Sequence, residues 1–274
     1  MLVTKSPTAV TVRPHADAFK GTARYYKYRP AYPPGVIKLL ASRFRLNGAG
    51  RYLDLGCGPG TLAITLAKYF REVVALDPEV EMLAEGKSLA RQRHISNIQW
   101  VGASSYELGK LKSILRPFDF VTIGTSFHWM DRAETLRQLY DIIKPQGGLA
   151  IVTMTELFEY SNAWQLVLID IIKKWLGNQQ RAGSDIYSKS GLPHIQFVAE
   201  SPFRVYEQWE CRMETIHTID EILGYLYSTS YCSKVVLGPK RQGFEQDVRT
   251  TLAKINHGQL LKRLSKVHVI LVWR

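Results

Sequence analysis

Apolar and polar positions in the first half of the chain follow two alternating periods. Short aliphatic and β-branched runs, Arg51–Leu55, Glu72–Leu76 (EVVAL), Ile98–Ala103, Asp119–Gly124 (DFVTIG) and Gly148–Met154, read as strands covered on both faces. Between them apolar residues recur at helical spacing: Leu62, Leu66 and Tyr69/Phe70 within Thr61–Phe70, then Val80, Leu83, Ala84 and Lys87 on successive turns after Asp77-Pro78. A third helix is predicted from about Arg132 to Lys144, where Pro145 stops it. Strands separated by crossovers of about ten residues or more pair in parallel. The expected fold is α/β, a doubly wound Rossmann-like, mostly parallel sheet.

Beyond Met154 the beat changes. Asn162–Leu176 is amphipathic, Pro202–Glu214 alternates like a strand, Ile219–Tyr227 and Phe244–Ile255 read as helices, and Lys266–Trp273 (KVHVILVW) is a β-branched strand. The terminal strand most simply rejoins the sheet. The helices between would then cap the carboxyl ends of the strands, where open α/β sheets bind ligands. The expected division is a cofactor-binding domain over 1–155 with 266–274, its first 50 residues a lid segment, and a dependent substrate-binding cap over 156–265. No repeat or Gly/Ser-rich linker separates a second domain.

Composition narrows the class. With 274 residues, 46% hydrophobic and 22% charged, the chain is ordinary globular material, not collagen, coiled coil or a disordered tract. The best apolar run, Leu166–Leu176, is interrupted by Asp170, Lys173 and Lys174, so no membrane span is expected. The first 20 residues hold Lys5 and Arg13 but no apolar signal core, and Cys57, Cys211 and Cys232 lack disulfide or metal spacing, which together favour a reducing cytoplasm. The net charge of +12 sits at the ends: residues 1–52 carry 10 Lys/Arg against 1 acid, and residues 230–274 carry 9 against 2. Such ends can attract nucleic acid or anions, or merely solvate the surface.

The chemistry concentrates in Leu53-Asp54-Leu55-Gly56-Cys57-Gly58-Pro59-Gly60-Thr61. A strand running through three glycines into a helix lets a ligand touch backbone, and the helix start offers unpaired amides. Asp77, 21 residues past Gly56 at the end of the next strand, is placed to accept both hydroxyls of a ribose. A nucleoside cofactor is implied. The dinucleotide fingerprint G-x-G-x-x-G is not met, since its third glycine falls one place early, and Asp54 would repel a pyrophosphate while suiting a cationic ligand.

These residues resemble the class I S-adenosylmethionine-dependent methyltransferases, in particular the small-molecule branch (methyltransferase type 11) that includes trans-aconitate methyltransferase-like proteins. The resemblance rests on LDLGCGPG (53–60), ALDP (75–78), DFVTIGTSFHWMD (119–131) and IIKPQGGLAIV (142–152), with YYKYRPAYP (25–33) similar to the segment that closes over the cofactor. It implies S-adenosyl-L-methionine as cofactor. By it Gly56, Gly58 and Gly60 would approach the amino-acid and ribose parts, Asp54 would hold the methionine end, Asp77 the ribose, and Pro78 would lie against the adenine. Ser104 and Ser105 would face the adenine amino group where the family commonly has Asp. Gly124 and Thr125 would offer carbonyls to the ammonium. Arg29, with Tyr25, is the candidate for the cofactor carboxylate, because a guanidinium forks onto two oxygens.

His128 reads either as a base for the acceptor or as an anchor of its loop, and Trp129 either as a pocket wall or as packing. Cys57 reads as a small filler. No His or acid cluster has metal-ligand spacing, so no metal is expected. Phe158, Tyr160, Trp164, Tyr187, Phe197, Trp209, Tyr225, Tyr227 and Tyr231 supply aromatic surface in the cap, most of it core. The expected activity is methyl transfer to O or N of a small-molecule metabolite, aromatic or apolar, such as a natural-product intermediate; carbon acceptors, acceptor identity and oligomeric state stay open. Other readings are an RNA methyltransferase docking through the basic ends, although the Asn/Asp-Pro-Pro-Tyr/Phe segment of exocyclic-amine enzymes is absent, and a noncatalytic S-adenosylmethionine-binding protein. Tyr140-x-x-x-Lys144 matches short-chain dehydrogenase spacing, but its place before Pro145 and the wrong glycine pattern favour coincidence.

Overall fold

Tyr52, Leu53, Leu55 and the run Val73–Leu76 are all fully inaccessible, which only strands without a polar face can achieve. The computed structural model describes residues 17–111, 117–158, 162–179, 181–183, 185–186, 191–256 and 260–274. The first half comprises α1 (Pro34–Arg43), β1 (Arg51–Leu55), α2 (Thr61–Leu66), β2 (Glu72–Asp77), α3 (Val80–Gln92), β3 (Ile98–Gly102), β4 (Phe118–Gly124), α4 (Arg132–Ile142) and β5 (Ile143–Met154). Strands β1 to β5 pair in parallel, and the seven-stranded sheet runs β3-β2-β1-β4-β5-β9-β8. Its last two members are β8 (Val205–His217) and β9 (Leu261–Trp273), with β9 antiparallel to both β5 and β8.

Alternate residues of each strand feed two cores, as a doubly covered sheet requires. Leu53, Leu55, Val74, Leu76, Val121 and Ile151 pack with Leu136 and Leu139 of α4. Tyr52, Val73, Ala75, Phe120 and Val152 pack with Leu40 of α1 and Leu62 and Leu66 of α2. The expected α/β architecture is therefore present, with two corrections of detail. β8 lies within the interval 156–265 assigned to the cap, yet it is the outer strand of the main sheet. Its weak alternation, with Trp209 and Ile216 about half exposed, is what an edge strand covered on one side looks like. The terminal strand also starts at Leu261, not Lys266, because Leu261, Arg263 and Ser265 continue the inward-facing register between Lys262 and Leu264.

The cap consists of α5 (Ala163–Leu176), the two-stranded pair β6 (Arg181–Ala182) and β7 (Asp185–Ile186), α7 (Ile219–Tyr227), α8 (Lys234–Leu237) and α9 (Arg241–Asn256), whereas α6 (His194–Ala199) packs beside α4 on the sheet core through Ile195, Phe197 and Val198. Helices α5, α7 and α9 close a third core through Leu168, Leu226, Phe244, Val248 and the indole of Trp164. Capping boxes start α5 at Asn162 and α7 at Thr218. The cap emerges from the carboxyl ends of β5 and β8 and so overhangs the ends of β1, β2 and β4. A 3-10 helix, Ala23–Tyr28, packs on α7, with the Tyr28 ring so near Gly224 that a Cβ there has no room.

Candidate functional site

Between β1 and α2 the chain turns through three left-handed glycines, Gly56 (φ +68°), Gly58 (φ +54°) and Gly60 (φ +79°). Amides of Gly56 and Cys57 both donate to the Leu76 carbonyl, at 2.8 and 3.0 Å, tying the loop to the end of β2. A Cβ on Gly56 would meet Ser126 Oγ at 2.6 Å, and one on Gly60 would meet the Trp100 indole at 2.5 Å. The glycines thus serve both loop shape and the approach of neighbouring side chains. Cys57 is buried, and burial raises its thiol well above the ordinary value, as suits the filler reading.

Two carboxylates support this loop. Asp54 accepts from the Ala63 amide at 2.9 Å and the Thr122 hydroxyl at 2.7 Å, so it pins the first turn of α2 to the sheet. Asp77 accepts from the amides of Gly58 (2.8 Å) and Glu79 (2.9 Å). Burial raises Asp54 from 3.8 up to about 7 and Asp77 to about 6, against the lowering effect of these hydrogen bonds. The folded state therefore holds protons that the unfolded chain releases near pH 4. Their contribution to ligand-free stability is full below about pH 4 and is lost as pH rises through the folded values. Thermal melts between pH 5 and 8 are expected to show wild type losing stability relative to Asp54→Asn as pH rises. Parallel pH profiles for the two proteins would contradict the buried-carboxylate assignment.

The lid segment brings Arg29 to the cavity. Its Nε donates to Ser228 Oγ (2.9 Å) and Nη2 to the Ser228 carbonyl (2.6 Å), and its guanidinium lies 4.1 Å from the centre of the Tyr26 ring. Tyr25 is not its companion. Tyr25 packs edge-on against Tyr227 at 5.4 Å, in the cap, whereas Tyr26 lines the cavity. Successive residues of a 3-10 helix diverge by about 120°, so one position decides which tyrosine faces inward. Ser228 and Tyr26 are contributors that the sequence reading missed; the YYKY run was the available signal. Thr125 sits at φ +52°, rare for a β-branched residue, and its hydroxyl bonds Tyr32 at 3.0 Å while its amide donates to Val152. Gly124 beside it has Tyr32 Oη 2.8 Å from where a Cβ would stand. Tyr32 therefore closes the end of β4.

These groups line one cavity of about 1170 Å³. It takes in Arg29, Asp54, Gly56, Gly58, Gly60, Asp77, Pro78, Ser104, Ser105, Gly124, Thr125, His128 and Trp129; Tyr25 is the one candidate left out. Ser104 starts the 3-10 helix Ser105–Lys110 with a capping box, its side-chain oxygen accepting from the Glu107 amide while its amide and hydroxyl donate to the Glu107 carboxylate at 2.9 and 3.1 Å, which leaves the hydroxyl oxygen one further lone pair. Trp129 meets Phe19 edge-on at 5.4 Å, and the His128 ring is 5.0 Å from that of Trp129. Of the cap aromatics, Phe158, Tyr225 and Tyr231 reach the cavity. Trp164, Phe197 and Tyr227 pack in cores and Trp209 is exposed, while Tyr160, Tyr187 and residues 1–16 of the lid lie outside the described residues. Tyr140 packs on Phe203 and Lys144 pairs with Asp119 at 2.9 Å, so the dehydrogenase-like spacing contributes nothing to the cavity.

The donor set matches S-adenosylmethionine. Asp77 and Asp54 keep acceptor capacity for hydroxyls and an ammonium, Ser104 for an amino group, and Arg29 has a planar fork for a carboxylate. The volume lies at the upper end of the roughly 300–1,000 Å³ usual for small-molecule sites.

A family model described as a methyltransferase domain matches residues 53–147. An uncharacterized methyltransferase of Schizosaccharomyces pombe is 33% identical over 132 residues, 47% of this chain and 49% of its own length. The match thus spans about half of that relative. An uncharacterized methyltransferase of Mycobacterium tuberculosis is 26% identical over 208 residues, 76% of this chain and 74% of its own. Among solved structures, a proposed type II methyltransferase of Anaeromyxobacter dehalogenans superposes with TM-score 0.60 at 20% identity, over 90% of this chain and 97% of that one, which establishes the shared fold. No helix among the described residues is long and apolar enough to cross a membrane.

Proposed function

We propose that this chain, which carries a class I S-adenosylmethionine-dependent methyltransferase domain, transfers a methyl group to an oxygen or nitrogen of a small molecule bound between the sheet and the cap. The observation that carries the reading is one cavity that joins the glycine turn, Asp54 and Asp77 on the sheet side to Phe158, Tyr225 and Tyr231 on the cap side. When bound, S-adenosylmethionine supplies a methyl group already activated by its sulfonium. What remains for the protein is to hold the acceptor in line and exclude water. Asp77, Asp54 and Arg29 fix the cofactor end beside a glycine turn whose own amides are spent on Leu76, Cys57 and Asp77, Gly124, Thr125 and Tyr32 close the floor, and the lid and cap cover the acceptor. His128, on the wall beside Trp129, is the base that takes the proton of a hydroxyl or ammonium acceptor.

The test is to incubate the protein with methyl-labelled S-adenosylmethionine and an extract of its source cells, then partition label among small molecules, RNA and protein. Label in a new small molecule supports the reading, and label in RNA replaces it with docking through the basic ends. In the same assay His128→Ala is expected to lower turnover about 10²- to 10⁴-fold, the usual contribution of a positioned base. Unchanged turnover across pH 6–9 would leave His128 as a loop anchor.

A further inference from the structure

The two walls of the cavity differ in charge. The sheet side carries Asp54, Asp77, Glu79, Glu85 and Glu107 against Arg93, the lid adds Lys27 and Arg29, and the cap wall carries Lys173 and Arg181. Arg181 stands in β6, and its Nε is buried with no hydrogen-bond acceptor among the described residues. Its place is fixed by the turn that follows: the Gly183 amide donates to the Ser230 carbonyl at 2.9 Å, and Gly183 backs onto Ala18 so closely that a Cβ would stand 3.0 Å from the Ala18 Cα. Lys173 lies in the last turn of α5. Its neighbour Lys174 is held by Asp247 at 2.7 Å, but among the described residues no ion pair engages Lys173. Glu156 lines the cap wall as well; it is exposed, and among the described residues no ion pair joins it to either cation.

A guanidinium N–H withdrawn from water without an acceptor is unfavourable, and an oxyanion that takes it together with a neighbouring N–H of the same half-buried group is the cheapest remedy. Ile169, Ile172, Leu176 and Phe158 line the same wall and offer an apolar bed beside the charge. We infer that Arg181, assisted by Lys173, is an oxyanion-binding subsite, and that the acceptor of the proposed reaction is an amphiphile: an apolar body with a carboxylate or phosphate anchored on the cap. This rests on the methyl-transfer reading and adds the acceptor's charge and orientation to it. The separation of walls also keeps the ligands apart, since the cationic cofactor is drawn to the carboxylates and the anion to the cap.

The test uses the full chain saturated with S-adenosylhomocysteine, titrated by calorimetry with 3-phenylpropionate, phenyl phosphate and the neutral 3-phenylpropionamide. Wild type is expected to bind at least one of the two anions about tenfold or more tighter than the amide. In Arg181→Gln that preference should fall to near unity while the affinities for the amide and for S-adenosylhomocysteine stay within about twofold; Lys173→Gln should show a smaller loss of the same sign. Which anion prevails distinguishes a carboxylate from a phosphate acceptor. Equal binding of all three probes, no binding of either anion, or a preference that survives in Arg181→Gln overturns the subsite. Loss of S-adenosylhomocysteine binding in Arg181→Gln also overturns it, by assigning Arg181 to the cofactor. If wild type itself does not bind S-adenosylhomocysteine, the methyl-transfer reading fails first, so the two failures are told apart.

Discussion

Asp77→Ala is expected to weaken S-adenosylhomocysteine binding about 10- to 150-fold, the equivalent of about 1.5–3 kcal/mol for charge-assisted hydrogen bonds. Two losses combine. The carboxylate would no longer accept from ribose hydroxyls, and the amides of Gly58 and Glu79 that it now receives would be released, so the glycine turn loses the support that aims its backbone into the cavity. Ligand-free stability should change much less. Burial holds the Asp77 carboxyl up at about 6, so at pH 8 its ionised form is an unfavourable presence in the fold, and its removal offsets part of what the lost hydrogen bonds cost. Calorimetric affinity and thermal melts on the same preparations separate these effects. Asp77→Asn keeps one acceptor oxygen and should fall between. An unchanged affinity in Asp77→Ala would mean that the ribose lies elsewhere.

What was legible beforehand was local. A glycine turn after a strand, an acid at the end of the next strand and the helix spacing between them are set within some 25 residues, and backbone geometry leaves each few alternatives. Strands β1, β2 and β4 announced themselves because both their faces are buried, and β3, at the sheet edge and only half-buried, by its apolar run alone. What stayed hidden depends on partners far away in sequence. Arg29 is oriented by Ser228, 199 residues on, so no window around Arg29 could reveal why its guanidinium is held ready. Tyr26 displaced Tyr25 through the phase of a short 3-10 helix, a rotation that sequence spacing does not resolve. Arg181 had no signal at all: one arginine after a helix is unremarkable until the fold leaves its Nε in a cavity wall without an acceptor among the described residues. β8 was recognisable as a strand but not as a sheet member, because its pairing with β9 spans the whole α7–α9 insertion.

The second large effect is expected at Gly60, and it tests whether the cofactor turn is shaped by the sheet beneath it. Gly60→Ala should destabilise the protein by about 2–5 kcal/mol: about 1–2 for an L-residue in the left-handed region, and about 1–3 for pressing a methyl into the Trp100 indole. The parts can be separated, because the same indole also fills the space beside Gly86 in the middle of α3, where the backbone is an ordinary helix. Gly86→Ala therefore carries the crowding without the backbone strain, and gains back about 1 kcal/mol of helix propensity. Denaturant melts should rank Gly60→Ala well below Gly86→Ala. Trp100→Leu should couple favourably to both substitutions in double-mutant cycles, removing the indole's share from each and leaving Gly60→Ala its backbone share and Gly86→Ala its contact with the Pro59 carbonyl, 3.0 Å from the added Cβ. A Gly60→Ala protein within about 0.5 kcal/mol of wild type would show that the turn can shift away from Trp100 at little cost. The observed cavity floor would then be one of several accessible shapes. If the full penalty is found, Trp100 in β3 and Gly86 in α3 belong to the binding site as much as the glycines do, since they hold the turn at the height where Asp77 meets it.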